Sequence, residues 1–418
     1  MIAAPDDVTG DWIVVMTCHG ASDVMRMTLQ MHGDRATACL GGCAFEGRAS
    51  GSRLELRTPD GATPAARISG TFERHALSGE YVVGKTRWTW SATRPAGRAA
   101  GASRTHVFAP TTFHRMFSGS IPPALHIRCG DRVKTWTLDS SGIDADGARR
   151  SRPGNPQTGP FYVEGAVPGD TLAVTFTRMR LNRDTATSRR RIWKDAVTAA
   201  YIESRRPLAD PDSAWLLDRA KGVARPAQPT PALAGYAVPL QPMLGCVAVA
   251  PPFDMAVTSQ HPGTFGGNID YAGIREGVTV YLPVFQIGAL LFIGDGHAAQ
   301  GDGEVTVSAL ETSMDVEFVV DVLPGRTLAT PCAEDAECLM AIGIERSLTR
   351  ALQSATTEMA RWLERDYGLD REEAATVLGT ALRYDIAQVV NPHPSVVAKL
   401  PKAVMARVRK PPVNGERR

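Results

Sequence analysis

The 418-residue chain is expected to be mainly β, with a small all-β unit in front and helices at its end. Three observations lead there. Its 39 glycines and 29 prolines make up about one residue in six, above ordinary usage, and demand more turns than a helical bundle allows. Short alternating runs bounded by turn residues recur from the start to about residue 322. Only then does the apolar period change from two to that of a helix.

In the first unit, the runs 11–16, 26–31, 36–40, 53–57, 66–72, 79–83 and 87–93 alternate between glycines. Their spacing fits a meander or small barrel, with Trp12, Trp88 and Trp90 available to fill its core. His19, His32 and His75 stand isolated and read as surface residues. The segment 95–104, PAGRAAGASR, reads as a linker. The main body again shows strand-like runs at 124–127, 133–138, 161–163, 172–179, 278–283, 289–293 and 305–322. Helical character is limited to about 192–204 and 213–221, and the prolines at 226, 229, 231, 239 and 242 suggest a surface-running loop. Near the end, Leu348, Leu352, Ala355, Met359 and Trp362 recur at helical spacing. Gly368 is a stop signal, and Asp370 with Glu373 is a D-x-x-E start. The expected division is a small all-β domain over 1–95, a main domain over 105–400 and a basic flexible tail over 401–418.

Composition limits the function classes. Forty-six Lys and Arg against 44 Asp and Glu leave a net charge of +2, which argues against nucleic acid or a membrane as partner. With 43% hydrophobic and 22% charged residues, the chain is an ordinary globule rather than a disordered one. The seven cysteines include no C-x-x-C pair, so reduced, incidental thiols are expected. No cationic start, signal h-region or run near ~20 apolar residues occurs, and a cytoplasmic location is expected.

The informative stretch runs from Pro262 to Val322. In Gly294-Asp295-Gly296-His297, an apolar strand ends in a carboxylate and an imidazole two residues apart. In an extended backbone these point to one side, half of a metal site. Glu311 continues the apolar face of Val305, Val307 and Ala309, so it needs a partner, a metal or a raised pKa. A bulge between Glu311 and Val316 would explain the shift in phase that follows. Gly266-Gly267 then holds Asn268 and Asp270, as a carbonyl-orienting group and a further ligand. Plainer readings compete: Asp295 as an Asx-turn residue, Asp302 and Glu304 as solvated turn residues, Glu311 as the partner of an arginine such as Arg191. Phosphate-loop and nucleophile-elbow motifs are missing.

The strings GGNID, YLPVFQIGALLFIGDGHAAQGDGEV, NPQTGPFYVEGAVPGDTLAV (155–174), GCVAVAPP (245–252) and DIAQVVNP (385–392) together resemble the acetamidase/formamidase family over roughly residues 105–400. The first hundred residues lie outside that pattern, and SRRRIWKD and the Pro-rich insert look particular to this chain. The resemblance implies a β-sandwich of jelly-roll type with peripheral helices and a homo-oligomer. It also implies hydrolysis of a small formamide- or acetamide-like carboxamide with release of ammonia. The implied cofactor is a divalent metal, zinc first and calcium as the alternative. Asp270, Asp295 and His297 would hold it, Asn268 would bind the substrate carbonyl, and Glu311 and Glu164 would be the catalytic carboxylates. His114 and His126 are reserve ligands, and Leu290, Phe292 and Phe285 would shape a small closed pocket. Two other readings stand beside this one: a metal-free acid/base pair of Glu311 and Glu164, and a non-catalytic binding or assembly module on the same fold.

Overall fold

A computed structural model describes residues 8–73, 76–95, 103–203 and 212–408. His75, most of the 95–104 linker and residues 409–418 of the basic tail lie outside the described residues. The front unit is a closed barrel of eight antiparallel strands, each hydrogen-bonded to the next in sequence and the last (Thr86–Thr93) to the first (Gly10–Cys18). Every second residue points inward, so Trp12, Leu29, Leu54, Leu56, Ile68, Phe72 and Leu77 form a dry core. Trp12 is fully buried with its indole N–H donated to Val8, Trp90 is buried, and Trp88 packs at the edge of the core. A strand that the periodicity did not reveal, Cys43–Ser50, completes the circuit. At Gly79 the neighbouring strand comes too close for any side chain, since a Cβ there would overlap the carbonyl of Ser69.

The body is a sandwich. A six-stranded sheet runs in the order Leu125–Ile127, Gln157–Val163, Leu291–His297, Met243–Ala248, Gly266–Asn268, Pro262–Gly263. A nine-stranded sheet has Thr171–Leu181, Met314–Leu323 and Thr279–Pro283 near its middle. One apolar core joins them: Phe161, Leu291, Ile293 and Val247 from the first sheet pack with Val174, Phe176, Val280 and Phe318 from the second. Phe161 and Phe318 meet edge to face with ring centres 5.3 Å apart.

Two expected helices differ. Residues 213–221 are occupied mainly by the strand Asp212–Asp218, which pairs with Thr185–Arg189 on one edge and Val223–Pro226 on the other. These pairings override the helix-like grouping of Trp215, Leu216 and Leu217. Among the described residues, the 192–204 region holds a 3-10 turn, Lys194–Ala196, and a short helix, Ala199–Glu203. The Pro-rich stretch contributes the short strand Val238–Pro239 to the same small sheet. Nor is 305–322 one strand: the regular part begins at Met314, and Glu311 sits before it in isolated bridges to Thr187 and His297.

The terminal helices are Leu348–Tyr367 and Arg371–Ala381. Gly368 ends the first in a left-handed cap (φ 67°), and Asp370 with Glu373 forms a complete capping box at the second. Ala355, Met359, Trp362 and Leu363 bury the first helix against the nine-stranded sheet. The tail's start, Lys402–Met405, is a short helix with Met405 buried. No helix of the described residues is long and apolar enough to cross a membrane.

Barrel and body are joined by a buried ion pair. Arg26 donates Nε and Nη2 to the two oxygens of Asp170 at 2.6 and 2.8 Å. Asp170 also accepts from the amides of Val167 and Gly325. Removing one partner of such a pair strands the other charge without water. Arg26→Met is therefore expected to cost about 3–5 kcal/mol, read as a lower urea midpoint of the full chain. An unchanged midpoint would show that the contact contributes nothing to stability.

Candidate active site

The proposed residues gather where the six-stranded sheet ends. Asp295 and His297 lie at the end of Leu291–His297; Asn268 ends Gly266–Asn268, with Asp270 just beyond. Asp295 departs from the extended backbone expected of it. It sits at φ 60°, as Asp270 does at φ 47° and Asn155 at φ 50°. Asn and Asp tolerate this left-handed region better than other side chains, and such residues concentrate at functional sites.

His297 is the hub. Its Nε2 lies 3.4 Å from Glu311 Oε2 and 3.6 Å from Asp295 Oδ1. Its Nδ1 lies 2.9 Å from Gln300 Oε1, whose own NH2 donates to the carbonyls of Asp270 and Ala387. Gln300 thus offers only its oxygen to the ring, which leaves Nε2 turned to the carboxylates. Asp295, His297 and Glu311 can converge on one ion, and so can Asp270, His297 and Glu304. Asp270 Oδ1, Asp295 Oδ1, His297 Nε2 and Glu311 Oε2 are all buried without a hydrogen-bond partner. The space between them is kept open by Gly245: a methyl there would overlap Asp270 Oδ1 and come within 2.7 Å of Asp295 Oδ2 and 3.1 Å of His297 Cε1. An oxygen-rich donor set with one imidazole, orphaned in dry surroundings, fits a divalent cation.

The electrostatics agree with that fit. Burial pushes Asp295 up to about 8, helped by the negative charge of Glu311. Burial likewise raises Asp270, and raises Glu304 well above the carboxylate range with Asp270 as the next cause. Glu311 alone goes down: burial is the largest single influence and raises it, but the positive charge of His297 and the hydrogen bonds around the carboxylate together prevail. His297 is driven far up: burial opposes its charge, but Glu311 and Asp295 prevail. These carboxylates cannot all ionise around one imidazole without a further positive charge.

Four residues not singled out by the sequence reading complete the site. Asn155 Nδ2 bridges Asn268 Oδ1 and Asp295 Oδ2, both at 2.8 Å. Asn391 Nδ2 donates to Asp270 Oδ2 at 2.6 Å. Gln300 aligns the ring as described. Cys246 donates its thiol to Asn268 Oδ1 at 2.8 Å. It is buried at the centre, between Gly294 and Asn268 on the adjoining strands. Burial, then Asp295 and Asp270, push its pKa well above the normal thiol value, so it is no thiolate nucleophile. These residues stand in the strings NPQTGP, GCVAVAPP, HAAQ and DIAQVVNP, where polar side chains interrupting apolar runs are the available signal. Glu304 is a correction of the solvated-turn reading, being only 7% exposed and facing Asp270 and His297. Asn268, engaged by Asn155, Cys246 and Asp270, positions its neighbours.

Glu164 is not brought into this group. It lies just beyond the opposite end of Gln157–Val163, half exposed, 4.0 Å from His126 and 3.9 Å from Arg128. With it go the metal-free Glu311–Glu164 pair and the reserve role of His126, which stacks on Tyr162. His114 is half-buried and pairs through its backbone with Gln157. Glu311 faces His297 and the amide of Ala309 rather than Arg191. Phe292 and Leu290 belong to the sandwich core. The cavity above the cluster, about 310 Å³, is lined instead by polar groups such as Ser140, Thr187, Ser188 and Ser308.

A β-sandwich closing over a buried carboxylate–imidazole cluster defines the class to which the comparisons point. Residues 221–407 match the Acetamidase/Formamidase family. Over 65 residues the chain is 38% identical to an acetamidase of Mycolicibacterium smegmatis, a match spanning 15% of this chain and only 16% of that relative's length. Among solved structures, a recombinant predicted acetamidase/formamidase from Thermoanaerobacter tengcongensis superposes with a TM-score of 0.64 at 28% identity, covering 74% of this chain and 99% of that one. An acetamidase from Yersinia enterocolitica gives 0.64 and 28% over 74% and 96%, and one from Bacillus halodurans 0.61 and 28% over 72% and 99%. The body of the chain is thus similar to acetamidases and formamidases in sequence and in fold, and an N-terminal barrel precedes it.

The thiol assignment predicts a reactivity pattern. Iodoacetamide at pH 8, mapped by mass spectrometry, should label the exposed Cys39 and Cys43 and reach Cys246 only after denaturation. Labelling of native Cys246 at a rate similar to Cys39 would contradict a buried, protonated thiol.

Proposed function

We propose that the protein hydrolyses a small linear carboxamide to its carboxylate and ammonia at a divalent-cation site. The observation that carries this reading is the set of four buried, unpartnered donor atoms of Asp270, Asp295, His297 and Glu311, of which Asp295 and Glu311 belong to residues lining the polar cavity. Asp270, Asp295 and His297 would hold the ion, with Glu304 as a fourth donor on the Asp270 side. Zinc suits an imidazole with carboxylates better than calcium, which prefers six to eight oxygens. When bound, the cation supplies Lewis acidity toward the amide carbonyl and toward water.

The chain's own residues do the rest. Glu311, ionised and with one oxygen free, accepts the proton of the attacking water. It returns that proton to the nitrogen as the C–N bond breaks, so that ammonia leaves rather than an amide anion. The amide of Ala309 holds the other Glu311 oxygen at 3.1 Å and fixes the direction of the free one. Asn155 and Asn391 each pin one carboxylate oxygen, of Asp295 and of Asp270 respectively, and leave the second oxygen for the ion. Gln300 holds the His297 ring.

Three measurements test this. Ammonia release from formamide, acetamide and propionamide should disappear after exhaustive chelation and return with added zinc. Activity persisting in protein shown to be metal-free would defeat the proposal. Glu311→Gln should lower kcat by between about 10²- and 10⁴-fold while bound metal is retained. Gln300→Ala should weaken metal affinity by about 10- to 100-fold. Full activity in Glu311→Gln would remove Glu311 from the proton transfers.

A further inference from the structure

The barrel holds a second cavity, separate from the candidate active site. Its volume is about 490 Å³, in the range of sites for drug-sized ligands. The strand register explains it. Toward one end of the barrel the inward positions are filled by Trp12, Leu29, Leu54, Phe72 and Leu77, all buried. Val8 packs into the same core and accepts the Trp12 indole N–H, which closes that end. Toward the other end, by the turns at 41–42 and 84–85, the inward positions are Met16, Met25, Phe45, Tyr81, Val83 and Trp88. Met25, Tyr81, Val83 and Trp88 are only partly buried. Large apolar side chains point into the barrel there, yet they do not fill it.

We propose that this mouth is a binding site for an uncharged, largely apolar small molecule. The shape favours a small ligand over a protein surface, because the packed core and Val8 close the barrel's other end and the lining residues come from the barrel's strands and its turn at 41–42. Three aromatic rings and two thioethers offer broad dispersion contacts and tolerate varied ligand outlines. Charge sets the class. No Lys, Arg or His lines the cavity, and its one acidic residue, Asp23, would repel a carboxylate or sulfonate.

The test uses the full chain and the neutral probe N-phenyl-1-naphthylamine. The expected result is saturable binding of one equivalent, seen as enhanced probe emission with energy transfer from tryptophan. Val83→Arg, at the rim, should weaken binding at least tenfold while amide hydrolysis is unchanged. Met25→Gln, nearly isosteric, carries the same expectation if Val83→Arg does not fold. His297→Ala should bind the probe as the wild type does, which separates this site from the cluster in the body. Absence of saturable binding, binding unaffected in a folded Val83→Arg or Met25→Gln variant, or binding lost in His297→Ala would overturn the proposal.

Discussion

Four buried carboxylates crowd around a single imidazole, and much of the body's local architecture can be understood as a way to hold them there. Asp270, Asp295, Glu304 and Glu311 are nearly inaccessible to water, and burial, with repulsion from neighbouring carboxylates added, raises the first three. Bringing such groups together costs free energy that a hydrophobic core does not return locally. The amides around them limit that cost. Asn155, Asn391 and Asn268 each donate to a carboxylate oxygen, and the Gln300 side chain spans from His297 to two backbone carbonyls. A cation at the orphaned atoms would supply the missing compensation, and the proposed metal binding would then be tied to the stability of the site itself.

The sandwich makes this arrangement rigid. Strand ends, rather than long loops, deliver Asn268, Asp295 and His297, and the sheet ladder fixes the strand that carries Cys246 between two of them. Gly245 holds the centre open without leaving it wet. Glu311 comes from irregular chain, but its backbone is clamped on one side by His297 and on the other by Thr187. The proposed base is therefore set by main-chain hydrogen bonds at its own backbone and by the Ala309 amide at its carboxylate.

Patterning made the architecture readable wherever local chemistry and tertiary packing agree. The barrel followed from alternating runs, and the terminal helices from their period together with Gly368 and the Asp370–Glu373 box. Cys43–Ser50 was hidden because its inward positions include Gly47 and Ala49, too small to mark a face. Asp212–Asp218 was misread because its strand character comes from neighbours distant in sequence. In the site, Asp270, Asp295, His297 and Glu311 could be picked out as charge in apolar or glycine-rich surroundings. Asn155, Cys246, Gln300 and Asn391 could not, since an amide or thiol shows its role only through the atoms it meets across space. Glu304 was obscured by its setting, GDGE, which has the composition of a solvated turn.

The left-handed backbone at Asn155, Asp270 and Asp295 has a consequence for how this site can vary. Asn and Asp have nearly the same shape and a similar tolerance of that conformation. Exchanging one for the other alters the charge of the cluster by one unit with little demand on the main chain. Glu at these positions would be penalised twice, once for reach and once for backbone. Divergence from this arrangement is thus channelled toward retuning the charge of the cluster while the scaffold stays where it is.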